Sequence, residues 1–524
     1  MRIELGRAVR TAIGALVIAA VFALISLPGI ASLPIDKHEA LVVQTSKEMV
    51  ARDDLLVPYF NDEPRLNKPP MSYWATIATA WLRAPGAPVR IAPLDARIPS
   101  ILASLATLLM LVLMGRRCVD LRAGLLIGAV YACSPALAFF SHDARPDTLY
   151  AFLSFAGTAL LALQLLPTHT ASGRHGIWLA LSGWTFWALA TLTKGPHIPL
   201  LMLIALVVFG LREGRGVSRV VHSLRPATGI VLMLVIALPW WLALESTLGA
   251  ETLAGSQLGG TLYKPDPVAI THAYRELLGL AGLLFPWSLM PLLMWARACR
   301  LVRTSALARL SLFCFALPVL LLMFSPQHRW HYTLPMIPFL AIFCGLLLAD
   351  KLAERSDDKP VRNPAQAAPR AARRRAFAPL AFVSVVVVFS AFLALNSWQQ
   401  FLWKDMRFDR ARSLALLGDE PYRRLPVYAA DAIESAFPIA VAWAERRVEL
   451  VRAPADLLDE TARSGVACAI VIGPRESLSN VAPGQHLLIL AAWPERRKTL
   501  QAGLFSATES GCSGITQSDS VSPG

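Results

Sequence analysis

The sequence predicts a polytopic α-helical membrane protein with about eleven transmembrane helices, a long first outer loop of interfacial helices and a small C-terminal α/β domain outside the membrane. Three observations support this fold class. The 524 residues are 55% hydrophobic and only 16% charged. Apolar runs near the roughly 20 residues that cross a hydrocarbon core recur along the chain. Basic residues cluster in alternate connections between these runs, as the positive-inside rule describes.

The candidate spans share low charge and near-continuous apolar character. They lie near residues 10–33, 94–114, 122–140, 147–166, 177–193, 196–211, 227–244, 276–296, 308–325, 333–349 and 377–396. The first run resembles a secretory signal, but its length of about 20 residues exceeds the usual signal core, so we interpret it as a retained helix.

The charge distribution predicts the orientation of the chain. The arginine-rich connections include those after the second, sixth and eighth spans, and the run 351–375 is the longest. These connections are predicted to be cytoplasmic, which places the N-terminus in the cytoplasm and the C-terminal residues on the outer side of the membrane; for a bacterial inner membrane, that side is the periplasm. The net charge of +14 is therefore an orientation signal, and nucleic acid is not a predicted partner.

These features divide the chain into predicted regions. A transmembrane core covers 1–350 and contains the outer loop 34–93; a basic cytoplasmic linker covers 351–376, and a last transmembrane helix covers 377–396. β-prone runs such as "VACAIVIGP" alternate with helix-like stretches and predict a periplasmic α/β domain over 397–510. A Ser- and Gly-rich tail, 511–524, is predicted to be disordered.

The first outer loop carries two helical patterns. "EALVVQTSKEMVARDDLLV" places Leu41, Val42 and Met49 on one face, which predicts a helix lying in the membrane interface. A second interfacial helix is predicted after Pro70, because Tyr73 and Trp74 begin a run of aromatic residues at helical spacing. The loop is therefore predicted to be structured.

The seven cysteines form no metal-binding or disulfide framework. Five of them lie in or beside spans, and all are interpreted as small apolar packing residues. A disulfide between Cys468 and Cys512 is the one alternative.

Charged and aromatic residues converge at the outer ends of the predicted spans. The segments are "LPIDKHEA", "NDEPRLNKPPMSYW", "SHDARPD", "LTKGP" and "QHRWHY". Each has an ordinary explanation, since Asp36 can cap a helix, Lys68 can reach the interface and Lys194 can end a helix. Their joint position at headgroup depth nevertheless predicts a site. It holds Asp36, Lys68, Asp143, Arg145, Asp147, Lys194, His328, Arg329, His331 and Tyr332.

Such a set suits a lipid phosphate. Fixed cations neutralise a phosphate near hydrocarbon, and a neighbouring carboxylate can act as general base towards a hydroxyl. No glycine-rich nucleotide loop follows a strand within residues 1–396, which fits a lipid-linked donor better than a sugar nucleotide.

The same segments resemble a known family. The run from Asp36 to Trp74, with "EM" and "KPPMSYW", is similar to the first outer loop of polyprenyl-phosphate-sugar-dependent glycosyltransferases of the GT-C fold. These include aminoarabinose transferases acting on lipid A and relatives of protein mannosyltransferases. "ARPD", "LTKGP" and "HRWHYTLPMIPFLAI" follow in the family's order. Lys37 stands where the family has a second acid, with Glu39 close by, and "RDDLL" replaces "GDW".

The resemblance implies roles for individual residues. Asp36 would be the catalytic carboxylate, and Lys68, Arg329 and Tyr332 would bind the donor phosphate. Further candidate site residues are Glu39, Tyr73, Asp143, Arg145, Asp147, Lys194 and His331. No cofactor is indicated with certainty; a divalent metal is the one candidate.

The predicted reaction is transfer of one sugar from a polyprenyl (undecaprenyl) phosphate to an envelope acceptor, either lipid A or another glycolipid, at the periplasmic face. Glycans, proteins and membrane lipids are the other predicted partners. A protein O-mannosyltransferase-like enzyme is the nearest alternative. A flippase or transporter of lipid-linked sugars is the alternative from another class, although the paired inverted halves expected of many transporters are not evident.

Overall fold

The computed structural model describes residues 2–167, 174–256, 277–323, 330–356, 413–430, 436–451, 456–481, 484–495, 498–508 and 511–512, together with Arg410, Ile433 and Ile515. The predicted last span, 377–396, lies outside the described residues.

The described residues form α-helices followed by a mixed sheet. The helices are α1 (Arg2–Ser26), α2 (Lys37–Ala51), α3 (Met71–Arg83), α4 (Pro93–Cys118), α5 (Leu121–Ala132), α6 (Pro135–Phe140), α7 (Pro146–Leu163), α8 (Arg174–Lys194), α9 (His197–Arg212), α10 (Val217–Leu224), α11 (Pro226–Leu248), α12 (Ala250–Gly255), α13 (Met290–Leu293), α14 (Trp295–Thr304), α15 (Ala306–Leu322), α16 (Ile337–Ser356), α17 (Phe437–Ala444), α18 (Leu457–Arg463) and α19 (Arg475–Leu478). Turns of 3-10 helix cover Trp287–Leu289, Trp330–Met336, Leu416–Gly418 and Tyr422–Arg424.

In the part of the chain that the structure describes, seven strands belong to two sheets. The strands are β1 (Tyr59–Phe60), β2 (Glu63–Pro64), β3 (Val427–Ala430), β4 (Val448–Val451), β5 (Ala469–Pro474), β6 (His486–Glu495) and β7 (Lys498–Ser506). The first two strands form a small antiparallel hairpin, and the others form a sheet in the order β4-β3-β5-β7-β6. Strands β4, β3 and β5 are parallel, whereas β7 runs antiparallel to both β5 and β6.

The chain divides into two compact units. The first comprises Met1–Ile30, Leu66–Ser72 and Arg97–Trp398, and the second comprises Ala31–Arg65, Tyr73–Ala96 and Gln399–Gly524. Thus most of the first outer loop folds with the C-terminal α/β residues.

Apolar helices build the first unit. Among the described residues, four segments are long and apolar enough to cross a membrane, and a bent helix pair makes a fifth candidate. The four are Pro93–Cys118, Pro146–Leu163, Val217–Leu248 and His331–Ala353, and the pair is α14 with α15. The total of about eleven spans stays a prediction.

Two predicted spans are not continuous helices. The run 122–140 is divided into α5 and α6, because the Ser134 hydroxyl accepts the Leu137 N–H and Pro135 begins a new helix. In the run 276–296, helix over 277–283 is followed by short helical pieces near Pro286 and Pro291.

Glycines allow the helices of the first unit to approach closely. A Cβ atom at Gly157 in α7 would clash with the Trp187 indole of α8, and one at Gly229 in α11 would clash with Trp184. Small residues serve this purpose in membrane helix packing, because lipid supplies little hydrophobic driving force between helices. The close contact between α7 and α8 therefore fixes the positions of the ends of both helices.

In the second unit, α2 packs against α17, and its residues before Ala51 are buried or half-buried. The apolar face of α2, predicted to lie in the membrane interface, is therefore covered by protein. The residues that contact α2 lie almost 400 positions later in the chain.

The turn at Asn61 and Asp62 links the outer loop to strand β4. Both residues have positive φ, which short polar side chains tolerate and a two-residue hairpin requires. The Glu48 carboxylate accepts their backbone N–H groups at 2.8 and 3.0 Å. The Asn61 amide donates to the Val448 carbonyl at 3.0 Å and accepts the Val448 N–H at 2.8 Å. Asn61 thus pairs with the edge strand as another strand would.

The Arg446 side chain connects several backbone segments of the C-terminal α/β residues. The Arg446 guanidinium donates to the carbonyls of Leu417, Tyr422, Leu425 and Ala444 at 2.8 to 3.0 Å. Burial, with the charge of Arg423, lowers the pKa of Arg446. Its hydrogen bonds satisfy carbonyls that precede strands β3 and β4.

Cys468 and Cys512 form a disulfide. The interpretation of all seven cysteines as packing residues is therefore wrong for this pair. The five described free cysteines, Cys118, Cys133, Cys299, Cys314 and Cys344, lie in or beside helices of the first unit.

Replacement of Asn61 tests the link to the edge strand. Asn61→Gly tolerates positive φ but removes both side-chain hydrogen bonds to Val448, including the one that accepts its N–H. We expect amide exchange at Val448 to accelerate about tenfold or more, since an unmade buried hydrogen bond costs about 1–3 kcal/mol. Hydrogen–deuterium exchange of the full chain measures this. Asp62→Asn, which removes only an exposed ion pair with Arg52, is the control, and equal exchange in both variants would contradict the assignment.

Candidate active site

The candidate site in the first unit begins at the N-terminus of α7. Arg145 is extended at the N-cap position, Pro146 occupies the first turn, and Asp147 follows it. Proline is preorganised for this position because its missing N–H is not needed there. A carboxylate in the first turn is stabilised by the helix dipole.

The second part of the site is the end of α8. Lys194 is its last residue, and Gly195 follows with φ of +106°, a conformation that favours glycine. The Gly195 N–H donates to the Thr191 carbonyl at 2.9 Å, and α9 begins at His197. "LTKGP" therefore forms a sharp turn that holds Lys194 at the helix end.

An ion pair joins these two helix ends. Lys194 Nζ donates to Asp147 Oδ1 at 2.5 Å, and the two side chains are 6% and 12% exposed. The position is enclosed, so each charge depends on the other for stabilisation.

The segment before α16 closes the cluster. His331 Nε2 lies 4.0 Å from Asp147 Oδ1, and the Lys194 ammonium lies 3.9 Å from the centroid of the Tyr332 ring. Lys68 lies within electrostatic range of both Asp147 and His197. We call Lys68, Asp147, Lys194, His331 and Tyr332 the cation cluster.

Tyr150 holds the turn after Lys194. Its hydroxyl donates to the Gly195 carbonyl at 2.9 Å and accepts the Ile198 N–H at 3.1 Å. The ring nitrogens of His197 are 3.3 Å away. Sequence analysis missed Tyr150 and His197, although Tyr150 stands one helical turn after Asp147.

Asp143 and Arg145 form a separate pair. Arg145 Nε lies 2.5 Å from Asp143 Oδ2, and the backbone carbonyl of Asp143 accepts the Ser100 hydroxyl at 2.7 Å. This arrangement ties the segment before α7 to α4.

Asp36 and Glu39 lie in the second unit and form a capping box. The Asp36 carboxylate accepts the Lys37 N–H at 2.7 Å, and Glu39 accepts the Asp36 N–H at 3.0 Å. Arg410 Nη2 is 4.0 Å from Asp36 Oδ1. Sequence analysis missed Arg410, because no local pattern connects it with Asp36.

Two predicted site residues remain, Tyr73 and Arg329. Tyr73 is buried in the second unit, within α3. Arg329 lies outside the described residues.

The cation cluster is suited to an anion. Lys194 pairs with the one carboxylate of the cluster, Lys68 lies within electrostatic range of it, and His331 adds a further positive charge when protonated. A phosphate is the natural ligand of such a set. Asp147 already faces ammonium groups, so the cluster does not resemble the oxygen-rich shell that binds a divalent cation. No group of three or more His, Cys, Asp or Glu side chains able to hold a metal occurs in the described part of the chain.

Known proteins are similar to this chain in sequence and in fold. Residues 67–242 match the family model of dolichyl-phosphate-mannose-protein mannosyltransferases. The fold is similar to that of ArnT from Cupriavidus metallidurans bound to undecaprenyl phosphate, with 19% identity over 97% of this chain and 99% of that one and a TM-score of 0.68. The apo form of the same enzyme matches with 16% identity over 95% and 98% of the two chains and a TM-score of 0.66.

A more distant fold match is the oligosaccharyltransferase of Archaeoglobus fulgidus in the apo form. It has 9% identity over 88% of this chain and 69% of that one, with a TM-score of 0.54. No curated protein matches the chain. Together, the family model and the fold matches confirm the predicted resemblance to polyprenyl-phosphate-sugar glycosyltransferases of the GT-C fold.

Charge neutralisation tests the Asp147–Lys194 pair. Lys194→Met leaves an enclosed carboxylate without its ammonium partner, so we expect the free energy of unfolding to fall by up to about 3–5 kcal/mol. The double variant Lys194→Met/Asp147→Asn removes both charges and should regain most of this loss. Unfolding of the detergent-solubilised chain measures both effects, with Arg117→Met as an exposed control. A double variant as unstable as Lys194→Met would contradict mutual stabilisation.

Proposed function

We propose that the protein transfers a single sugar from a polyprenyl monophosphate, undecaprenyl phosphate in bacteria, to an envelope acceptor such as lipid A or another glycolipid. The cation cluster carries this proposal, because it offers two lysines and an aromatic ring to one anionic group. The fold match to an enzyme bound to undecaprenyl phosphate supports the same ligand class.

In the proposed reaction, an acceptor oxygen attacks the anomeric carbon while the bond from that carbon to the phosphate oxygen breaks. The lipid phosphate leaves with the electron pair, and Lys68 and Lys194 stabilise its growing charge. Attack from the side opposite the leaving group inverts the anomeric centre. Arg329 is proposed to assist at the phosphate, and Tyr332 to line its site.

Asp36 is proposed to receive the proton of a hydroxyl acceptor. If the acceptor is itself a phosphate, its oxygen is already anionic, and Asp36 orients it instead. Arg410 Nη2 stands 4.0 Å from this carboxylate, so a cation lies beside the proposed base.

A periplasmic reaction is supported by the disulfide between Cys468 and Cys512, since disulfides persist in oxidising compartments. The proposed orientation therefore places the second unit in the periplasm and the N-terminus in the cytoplasm.

The assay follows release of free undecaprenyl phosphate from radiolabelled undecaprenyl-phosphate sugar, with envelope glycolipid as acceptor. Lys68→Ala should lower kcat/KM by about 100-fold or more, because it removes a charge that stabilises the leaving phosphate. Lys68→Arg, which keeps the charge, should recover part of this activity. Arg122→Ala, at an exposed site, should retain the wild-type rate.

Asp36→Asn separates chemistry from folding. Asparagine caps helices as well as aspartate does, so the fold should be retained while transfer to a hydroxyl acceptor is lost. Full turnover in both Asp36→Asn and Lys68→Ala would overturn the site assignment.

The same assay discriminates the alternatives. Sugar appearing on protein instead of glycolipid would favour a protein O-mannosyltransferase-like activity. Movement of labelled donor across a liposome bilayer without release of lipid phosphate would favour a flippase.

A further inference from the structure

A basic cleft lies at the end of α16 remote from the cation cluster. Helix α16 follows Tyr332 at its N-terminal end and carries Asp350 and Lys351 near its C-terminal end. A 20-residue helix is about 30 Å long, close to the thickness of a hydrocarbon core. The apolar span His331–Ala353 starts at the cation cluster and ends beside this cleft, which is the placement expected of sites at opposite faces of a membrane.

Helix α14 forms one wall of the cleft. It is bent by 110° relative to α15, a direction suited to a helix that lies along a membrane surface beside a span. Ala298 and Leu301 are buried, whereas Arg303 is exposed. The helix is thus amphipathic, with Arg300 and Arg303 exposed and Arg297 half-buried.

Large apolar side chains are exposed immediately before these arginines. Leu292, Leu293 and Trp295 are 67%, 80% and 66% exposed. Tryptophan prefers the depth of lipid headgroups, and leucines beside it can contact acyl chains. An apolar rim therefore lies next to a basic surface.

The cleft has a volume of about 430 Å³, and Arg297, Arg300 and Lys351 contribute its cations. Asp350 Oδ2 accepts from Arg297 Nη1 at 2.7 Å and from Arg300 Nη2 at 3.0 Å. Asp350 is thus shared by two guanidiniums, and Lys351 adds a third cation to the described lining of the cleft. The two guanidiniums are held side by side by one oxygen, as they would be by one phosphate oxygen.

We propose that this cleft binds the phosphate headgroup of an anionic phospholipid in the leaflet opposite the cation cluster. Charge complementarity selects the anionic headgroup, and the exposed Trp295 and leucines receive the acyl chains. Asp350 orients the arginines but competes with the lipid phosphate for them. This site is independent of the proposed sugar transfer.

Native mass spectrometry of the full chain from nanodiscs of phosphatidylglycerol and phosphatidylcholine tests the proposal. The triple variant Arg297→Gln/Arg300→Gln/Lys351→Gln should retain at least about tenfold less phosphatidylglycerol than wild type. The control is Arg116→Gln/Arg117→Gln/Arg122→Gln, which removes the same charge from exposed residues outside the cleft. It should retain wild-type phosphatidylglycerol. Equal losses in both triple variants, or none in the cleft variant, would overturn the proposal.

Asp350→Asn should change the retained phosphatidylglycerol in the opposite direction, which distinguishes the proposal from a loss of fold. Asparagine keeps an oxygen acceptor for the arginines but removes the competing charge, so retained phosphatidylglycerol should rise several-fold while phosphatidylcholine stays unchanged. A purely structural role for Asp350 predicts no such gain, and a fall in phosphatidylglycerol would contradict the proposal. Inorganic phosphate added at millimolar concentration should not displace the lipid; displacement would show a site for free phosphate instead.

Discussion

The ion pair between Asp147 and Lys194 is the interaction on which the candidate site depends. It joins the beginning of α7 to the end of α8, two helices that glycines bring into close contact. Tyr150 then fixes the turn after Lys194 through hydrogen bonds on both sides of it. An enclosed lysine held in this way keeps its position before any ligand arrives. Such preorganisation lowers the cost of binding an anion where water is scarce.

In the second unit, helix capping and packing hold the proposed base in position. Asp36 caps α2, and α2 packs on α17, so the proposed base stands on a helix supported by the C-terminal residues. Asn61 and the ion pair of Lys47 with Glu445, 2.6 Å long, add further links between loop and domain. This explains why the sequence carries a domain without a phosphate-binding motif of its own. Its described contacts position the outer loop.

Much of the helical architecture follows from hydropathy, since apolar runs of spanning length have few other uses in a protein. Strands β3, β4 and β5 were likewise predictable from their β-branched runs. The breaks near Ser134 and Pro286 needed attention to capping and proline, which an apolar count ignores. The covered face of α2 was not predictable, because its partner α17 is distant in sequence.

Part of the cation cluster was also predictable from the sequence. Topology placed Lys68, Asp147, Lys194 and Tyr332 at one membrane boundary, and the structure places them together in the first unit. Their pairing was not predictable, because opposite charges at one boundary have many geometries. Tyr150 looked like an ordinary residue of an apolar span, and only its hydrogen bonds with the "LTKGP" turn reveal its part.

A structure of the protein with bound undecaprenyl phosphate tests the central claim most directly. The account predicts that the phosphate lies within hydrogen-bonding distance of Nζ of both Lys68 and Lys194, with Tyr332 beside it. A phosphate bound away from these lysines, with the Lys194 ammonium still directed only at Asp147, would contradict it.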